Sequence, residues 1–352
     1  MIQEHDLKAT VSRGSIKPTY LLVGNDPYLT KHYANLIAKK SVPQNPDFNL
    51  FTMQENCTLQ DIYDRYFQFS FTGERICVLA SNFDFEGCPI ATFKELQELV
   101  ESPHDCNVLV LYYDVLSINT KKSDRFKKLA KSVEKGGGVV CELNHKTETE
   151  LAKMITASAA KRLRKLDISV ANYMISVCGT DLNILINELE KLCAFVPENA
   201  VIEKETVDSI CVKTIEASVY DITRFILQGK AEKVYHSLNN LLASGVSPAE
   251  IHALISSAYV DIFRVKAAID AGKKPDNIAS DFGYPSNRIF VLNNAARDGK
   301  YLTQKQIGNI LKEILKSDSA IKSNTKLSGN SSATALEILI TKILKITAGG
   351  GK

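Results

Sequence analysis

Five short apolar runs, all within the first 143 residues and separated by amphipathic segments, constrain the fold of this chain more than any other feature. The runs are Tyr20–Val23, Phe48–Thr52, Ile76–Ala80, Val108–Tyr112 and Gly138–Cys141, and the segments between them are Thr30–Lys40, Leu59–Phe69, Thr92–Val100 and Ser123–Val133. A strand that is apolar along its whole length needs cover on both faces, which a parallel sheet between two layers of helices supplies. The spacing therefore predicts an α/β three-layer domain over residues 1–143.

After Asn144 the pattern changes. Apolar residues recur at three and four, as in Leu151, Met154 and Ile155, then Leu182, Leu185, Ile186, Leu189 and Leu192, then Ile222, Phe225 and Ile226. That period predicts helix throughout. Gly and Pro break it at Val196–Asn199, Ser244–Pro248, Ala271–Gly272 with Pro275, and Gly283–Pro285. Two all-helical modules follow, 144–212 and 213–346, with residues 347–352 as a flexible tail. A chain of 352 residues has room for this number of domains.

Charge narrows the partners. The 43 basic and 40 acidic side chains leave a net charge of +3, too little to hold a polyanion by bulk attraction, so any nucleic-acid contact is local. Residues 1–143 carry sixteen basic and eighteen acidic side chains, which places the basic excess in the C-terminal part. The eight cysteines stand singly, without a Cys-x-x-Cys pair, and the six histidines add no zinc-type spacing. These features predict a reducing cytoplasmic compartment and no metal site. The charged start, Met1 to Asp6, and the lack of an apolar stretch near the ~20 residues of a membrane span predict a chain that is neither secreted nor inserted.

The first strand runs into Gly24-Asn25-Asp26-Pro27 and then a helix, the place where a phosphate-binding loop sits. Such a loop needs a second glycine, a lysine and a hydroxyl, and Leu29, Thr30 and Lys31 stand at those positions. Pro27 lacks a backbone N–H, and the charge of Asp26 repels phosphate. Asp26 capping the helix with Pro27 in its first turn explains both residues; a shifted register using Lys31 is the alternative. Magnesium-dependent hydrolysis also wants an acidic pair at a strand end. The third strand ends at Ser81-Asn82, Asp114 stands alone after the fourth, and no two acidic residues are adjacent in the chain. GxSxG and HExxH motifs are absent as well. His32, His104 and His252 read as helix-surface or partly buried residues. No catalytic residue and no cofactor is expected: the chain reads as a binding module on an NTPase-like frame.

Tyr63, Tyr66, Phe67, Phe69 and Phe71 crowd one helix end and its exit. Tyr63 and Phe67, four apart, suit the helix's core face. Tyr66, Phe69 and Phe71 are then expected to form an exposed aromatic tip, the kind of anchor that carries interface energy. Two basic stretches, Lys121–Lys128 and Lys161-Arg162-Leu163-Arg164-Lys165, suit a solvated helix face or a phosphate backbone. Lys161, Arg162, Arg164 and Lys165 are the better DNA candidates because four charges cover five residues.

In order and spacing the motifs resemble the delta subunit of the bacterial DNA polymerase III clamp loader. The resemblance is carried by Lys17–Leu29, Phe71–Val78, Cys178–Leu182 with Asn187–Leu192, Val219–Ile222, Leu241–Pro248 and Ile321–Ser323. It implies an AAA+-like α/β domain with a degenerate phosphate loop (Gly24, Leu29, Thr30, Lys31), a small helical lid and a helical collar. It also implies a non-catalytic subunit that binds and opens the beta sliding clamp for loading onto primed DNA, any polymerase activity belonging to the holoenzyme. The implied partners are the clamp, the delta-prime and gamma/tau subunits met through the collar, and primer-template DNA, in a nucleoid-associated replisome.

In that family, hydrophobic residues at the end of the helix preceding the third strand insert into a pocket of the clamp. Those positions fall on Phe71 and Thr72, within the segment Tyr66, Phe69, Ser70, Phe71 and Thr72. The family usually has two large apolar residues there; Thr72 departs from this, and Phe69 is the candidate substitute. Two other functions fit the frame: an AAA+ ATPase with an atypical phosphate loop, marked by stoichiometric nucleotide binding, and a stand-alone DNA-binding protein, marked by tight, salt-sensitive duplex affinity.

Overall fold

The computed structural model describes residues 1–352 apart from 54–56, 71–74, 105, 117, 274–277, 280, 285–288, 325–328 and 350–352. It divides into two compact units, Met1–Lys146 and Thr147–Lys352.

In the first unit the elements are α1 (Glu4–Ser12), β1 (Thr19–Gly24), α2 (Pro27–Ser41), α3 (Pro46–Asn49), β2 (Leu50–Met53), α4 (Leu59–Tyr66), β3 (Cys77–Ser81), α5 (Ile90–Glu101), β4 (Val108–Tyr112), α6 (Asp124–Lys135) and β5 (Val139–Leu143). The strands form one parallel sheet in the order β2-β3-β4-β1-β5. In the central strand β1, Tyr20 pairs with Val110 on one side and Val139 on the other. Because side chains alternate along a strand, Leu21 and Val23 join Val78, Ala80, Leu109, Leu111 and Val140 in a core closed by α4, α5 and α6. Tyr20, Leu22, Cys77 and Cys141 point to the opposite layer, where α1 and α2 supply Leu7, Val11 and Ile37. Burial pushes the thiols of Cys77 and Cys141 up to about 12, so both stay protonated as small hydrophobes.

Most boundaries fall within one to three residues of the sequence expectation, and two of the shifts have a local cause. β2 begins at Leu50, not Phe48, because Pro46 starts a helical turn after the left-handed Asn45. The helix expected to reach Phe69 ends at Tyr66, where the Tyr66 carbonyl is taken by the Asn107 side chain at 2.7 Å.

In the second unit, α7 (Glu148–Lys161), α8 (Ile168–Cys178), α9 (Leu182–Phe195) and α10 (Lys204–Ile210) surround Leu151, Ile155, Met174, Leu185, Leu189 and Val207, all buried. The expectation of helix throughout is corrected here: β6 (Lys165–Leu166) pairs in parallel with β7 (Val201–Ile202). Two-residue strands are too short to leave a period in the sequence. The remaining helices are α11 (Ile215–Leu227), α12 (Ala231–Ala243), α13 (Pro248–Asp270), α14 (Ile289–Gly299), α15 (Gln304–Asn324) and α16 (Gly329–Ala348). They share a core that includes Ile222, Leu238, Ile255, Tyr259, Ile310 and Ile340. The last helix runs through Ala348, two residues into the segment expected as tail. No helix among the described residues is long and apolar enough to cross a membrane.

Candidate functional site

At the C-terminal edge of the sheet, the loop between β1 and α2 has the place of a phosphate loop and other occupants. The Asp26 carboxylate, 4% exposed, accepts the Leu29 N–H at 3.0 Å, one of the helix N-terminal donors an anion would use. The Thr30 hydroxyl is buried and donates to the Asp26 carbonyl at 2.9 Å. Leu29 is buried and Lys31 is exposed. His145 lies beside Asp26, with Nδ1 at 3.4 Å from Oδ2, and its N–H donates to Asn25 at 2.7 Å. Gly24 has φ +150°, and a Cβ there would stand 1.9 Å from the Leu143 carbonyl oxygen. The loop is thus closed against β5 by its own groups. Replacing Asp26 with alanine removes the cap and is expected to lower stability by about 1 kcal/mol, read as a shift in the thermal midpoint of the full chain.

At the ends of β3 and β4, Asp114 accepts the Asn82 amide at 2.6 Å and the Ser81 hydroxyl at 3.3 Å. Asn82 also accepts the N–H groups of Val115 and Leu116, each at 3.0 Å. Among the described residues no group of three or more His, Cys, Asp or Glu side chains is placed to hold a metal ion.

The aromatic segment is built from α4 outward. Thr58 and Asp61 form a capping box that starts the helix, and hydrogen bonds from Thr58 hold the Asp61 carboxyl below the ordinary carboxylate range. Leu59, Ile62 and Tyr66 form its buried stripe. Tyr66 is therefore a correction to the expected tip: it is 1% exposed, and its hydroxyl accepts the His104 N–H at 3.1 Å. Burial pushes that hydroxyl up to about 12. The helix phase puts position 66 inward and position 67 at the rim, so Phe67, expected in the core, is half exposed against Tyr63, with ring centroids 5.5 Å apart.

Two residues later Phe69 is 92% exposed. The chain on either side of it is tied down. Asn107, buried, donates to the Tyr66 carbonyl and accepts the Ile76 N–H at 3.0 Å. The Ser70 hydroxyl donates to the buried Asn49 side chain at 2.8 Å. Phe69 is thus an outward aromatic on an anchored loop, the geometry of an interface anchor. Phe71 and Thr72 lie outside the described residues. The clasp residues Asn49 and Asn107 were missed by sequence reasoning; each is a polar residue beside an apolar strand, the one signal that could have marked them.

The basic stretch 161–165 is brought together only in part. Arg162 pairs with Glu190 at 2.7 Å and donates to the Ser158 hydroxyl, while Arg164 donates to the carbonyls of Val196 and Arg162 at 3.0 and 2.6 Å. Both guanidinium groups therefore brace their own helical module, while Lys161 and Lys165 are exposed. The fold gathers a second set that the sequence separates: Lys312, Lys316, Lys342 and Lys345 line a groove between α15 and α16 around Glu313. Glu313 accepts from Lys316 at 2.6 Å and Lys342 at 2.8 Å, which holds its carboxyl down at about 2. Its folded value lies below the ordinary 4.5, so the stabilisation is present above pH 4.5 and is lost as pH falls through about 2. A side-chain carboxyl NMR titration is expected to find that midpoint; one near 4.5 would refute the pairing.

The parallel order β2-β3-β4-β1-β5, the helices on both faces and the helical elements that follow define a three-layer α/β protein with helical modules after it. A family model described as DNA polymerase III, delta subunit, matches residues 20–135, and one described as DNA polymerase III delta subunit, C-terminal domain, matches residues 216–343. The chain belongs to this DNA polymerase III delta-subunit family. It is 25% identical over 354 aligned positions to DNA polymerase III subunit delta of Bacillus subtilis, covering 97% of this chain and 96% of that protein. A probable DNA polymerase III subunit delta of Aquifex aeolicus is 22% identical over 186 positions, 51% of each chain. The solved structure of the Bacillus subtilis DNA clamp loader delta protein aligns with a TM-score of 0.59 at 21% identity, over 97% of this chain and 99% of that one.

Proposed function

We propose that this chain binds a ring-shaped beta sliding clamp through the segment after α4 and holds one ring interface open, without hydrolysing ATP itself. The observation that carries this reading is Phe69, fully outward between the tied residues Tyr66 and Ser70. Phe71 and Thr72, one and two residues further on, complete the gripping segment, and Tyr66 acts from beneath as its internal support. A loop fixed at both ends loses little entropy when its aromatic enters a pocket, so more of the contact energy reaches the affinity.

Opening works by differential binding. A protein that binds the open ring more tightly than the closed one shifts the equilibrium by that difference in affinity and needs no chemistry of its own. The Asp26 cap and the consumed Thr30 hydroxyl support a nucleotide-independent role, with ATP acting through neighbouring subunits. Residues 213–346 are the proposed collar for the delta-prime and gamma/tau subunits, and residues 144–212 the lid. Primer-template DNA is the proposed ligand of Lys161 and Lys165, with Arg162 and Arg164 in support, in a cytoplasmic replisome at the nucleoid. Titration of the full chain with its cognate clamp tests the reading, with a dissociation constant of about micromolar or tighter expected in the absence of nucleotide. Stoichiometric ATP binding by the isolated chain would instead support an AAA+ ATPase.

A further inference from the structure

The basic excess of the C-terminal part is dense on the last two helices, where α15 and α16 carry six lysines against three acidic residues. The helices are tied side by side: the Gln306 side chain donates to the Ile346 carbonyl at 3.1 Å, and Lys342 donates to Glu313 at 2.8 Å. The groove between them, lined by Lys312, Lys316, Lys342 and Lys345, has a volume of about 490 Å³. That is the size of a small-ligand site, about 300–1,000 Å³. Lysines three or four apart on a helix are neighbours, so each helix presents its pair within one turn. Lys316 and Lys342 share the Glu313 carboxylate, which fixes both ammonium groups on the groove floor. Among the described residues Lys312 and Lys345 form no ion pair. One carboxylate among four ammonium groups leaves three charges unmatched, and their mutual repulsion is relieved by an anion. The charge is also compact: along α16 it lies between Ile346 and Ile338, the latter 52% exposed.

We propose that this groove is a binding site for a small ligand carrying two or three linked phosphates, either a free oligophosphate or the phosphate chain of a nucleotide. Lys312 and Lys345 supply the ammonium groups that close on the phosphates, while Lys316 and Lys342 hold the floor through Glu313. Lysine suits this role, since its compact charge sits on a flexible stem with three rotatable donors. A nucleic-acid strand fits less well, because its phosphates continue past the length of one helical turn and would run over Ile338 and Ile346. A ligand held by both helices favours the folded state by mass action and so braces the end of the second unit.

The test titrates the full chain with inorganic tripolyphosphate by calorimetry at low ionic strength, where exposed charges are least screened. One-to-one binding is expected. Lys312→Ala/Lys345→Ala, which leaves both Glu313 pairs in place, is expected to weaken it by about tenfold or more. Lys121→Ala/Lys122→Ala removes the same charge outside the groove and is expected to bind as wild type does. Hydrogen exchange of the wild-type chain is expected to gain protection in peptides from residues 304–348 on binding, a readout that stands even where a variant fails to fold. ATP and a single-stranded oligonucleotide are titrated in parallel. ATP that binds more tightly than tripolyphosphate and loses that affinity in Lys312→Ala/Lys345→Ala would assign the ligand as a nucleotide; equal affinity would assign a free oligophosphate. ATP affinity that survives the substitutions would place the nucleotide at the loop between β1 and α2 and exclude it as the ligand of the groove. No tripolyphosphate binding, equal weakening in the two double variants, or protection confined to residues 1–146 would overturn the proposal, as would binding of the oligonucleotide alone.

Discussion

Gly24→Ala is expected to destabilise the N-terminal unit by about 2–6 kcal/mol, combining overpacking with backbone strain, each typically about 1–3 kcal/mol. The added Cβ would fall 1.9 Å from the Leu143 carbonyl oxygen, and φ +150° lies in a region where a side chain is strained. The Leu143 carbonyl cannot withdraw freely, since it also accepts the Asp26 N–H at 3.2 Å. Hydrogen exchange of peptides from residues 1–146 reads the effect as lost protection in β1 and β5. Unchanged protection would mean that β5 does not press on this glycine. In a nucleotide-binding loop the glycine admits a phosphate; here it admits a neighbouring strand, so its replacement is expected to cost stability.

Asn107→Ala is expected to cost about 2–6 kcal/mol, because it leaves the buried Tyr66 carbonyl and Ile76 N–H each without a partner, at about 1–3 kcal/mol apiece. The clasp joins the two ends of the segment that carries Phe69, so the variant is also expected to weaken clamp binding by about tenfold, the cost of re-ordering a loosened loop. Chemical denaturation checks the first effect and a clamp titration the second. A destabilised variant that binds the clamp as tightly as wild type would separate the clasp from the grip.

The layered sheet was legible because β1, β3, β4 and β5 are apolar on both faces and need cover wherever they lie. The Asp26 cap was legible for a local reason: Asp26 and Pro27 act within one helical turn, and their chemistry is the same in sequence and in structure. Tyr66 and Phe67 were misassigned because an i, i+4 pair marks a face without saying which face is inside. Leu59 and Ile62 decide it, and only their burial in the core against β3 reveals this. The Asn107 clasp, the Glu313 lysine groove and the β6 and β7 pair all join residues distant in sequence. No single-segment period can report them. The engagement of Arg162 and Arg164 by their own module was hidden in the same way, since charge density in sequence says nothing of the partners the fold supplies.

Calorimetric titration of the full chain with its cognate sliding clamp, for wild type, Phe69→Ala and Phe71→Ala, tests whether the segment after α4 grips the clamp. A dissociation constant of about micromolar or tighter is expected for wild type, with a loss of roughly 30-fold, about 2 kcal/mol, for at least one variant. Absence of wild-type binding, or two variants that bind as wild type does, would contradict that grip.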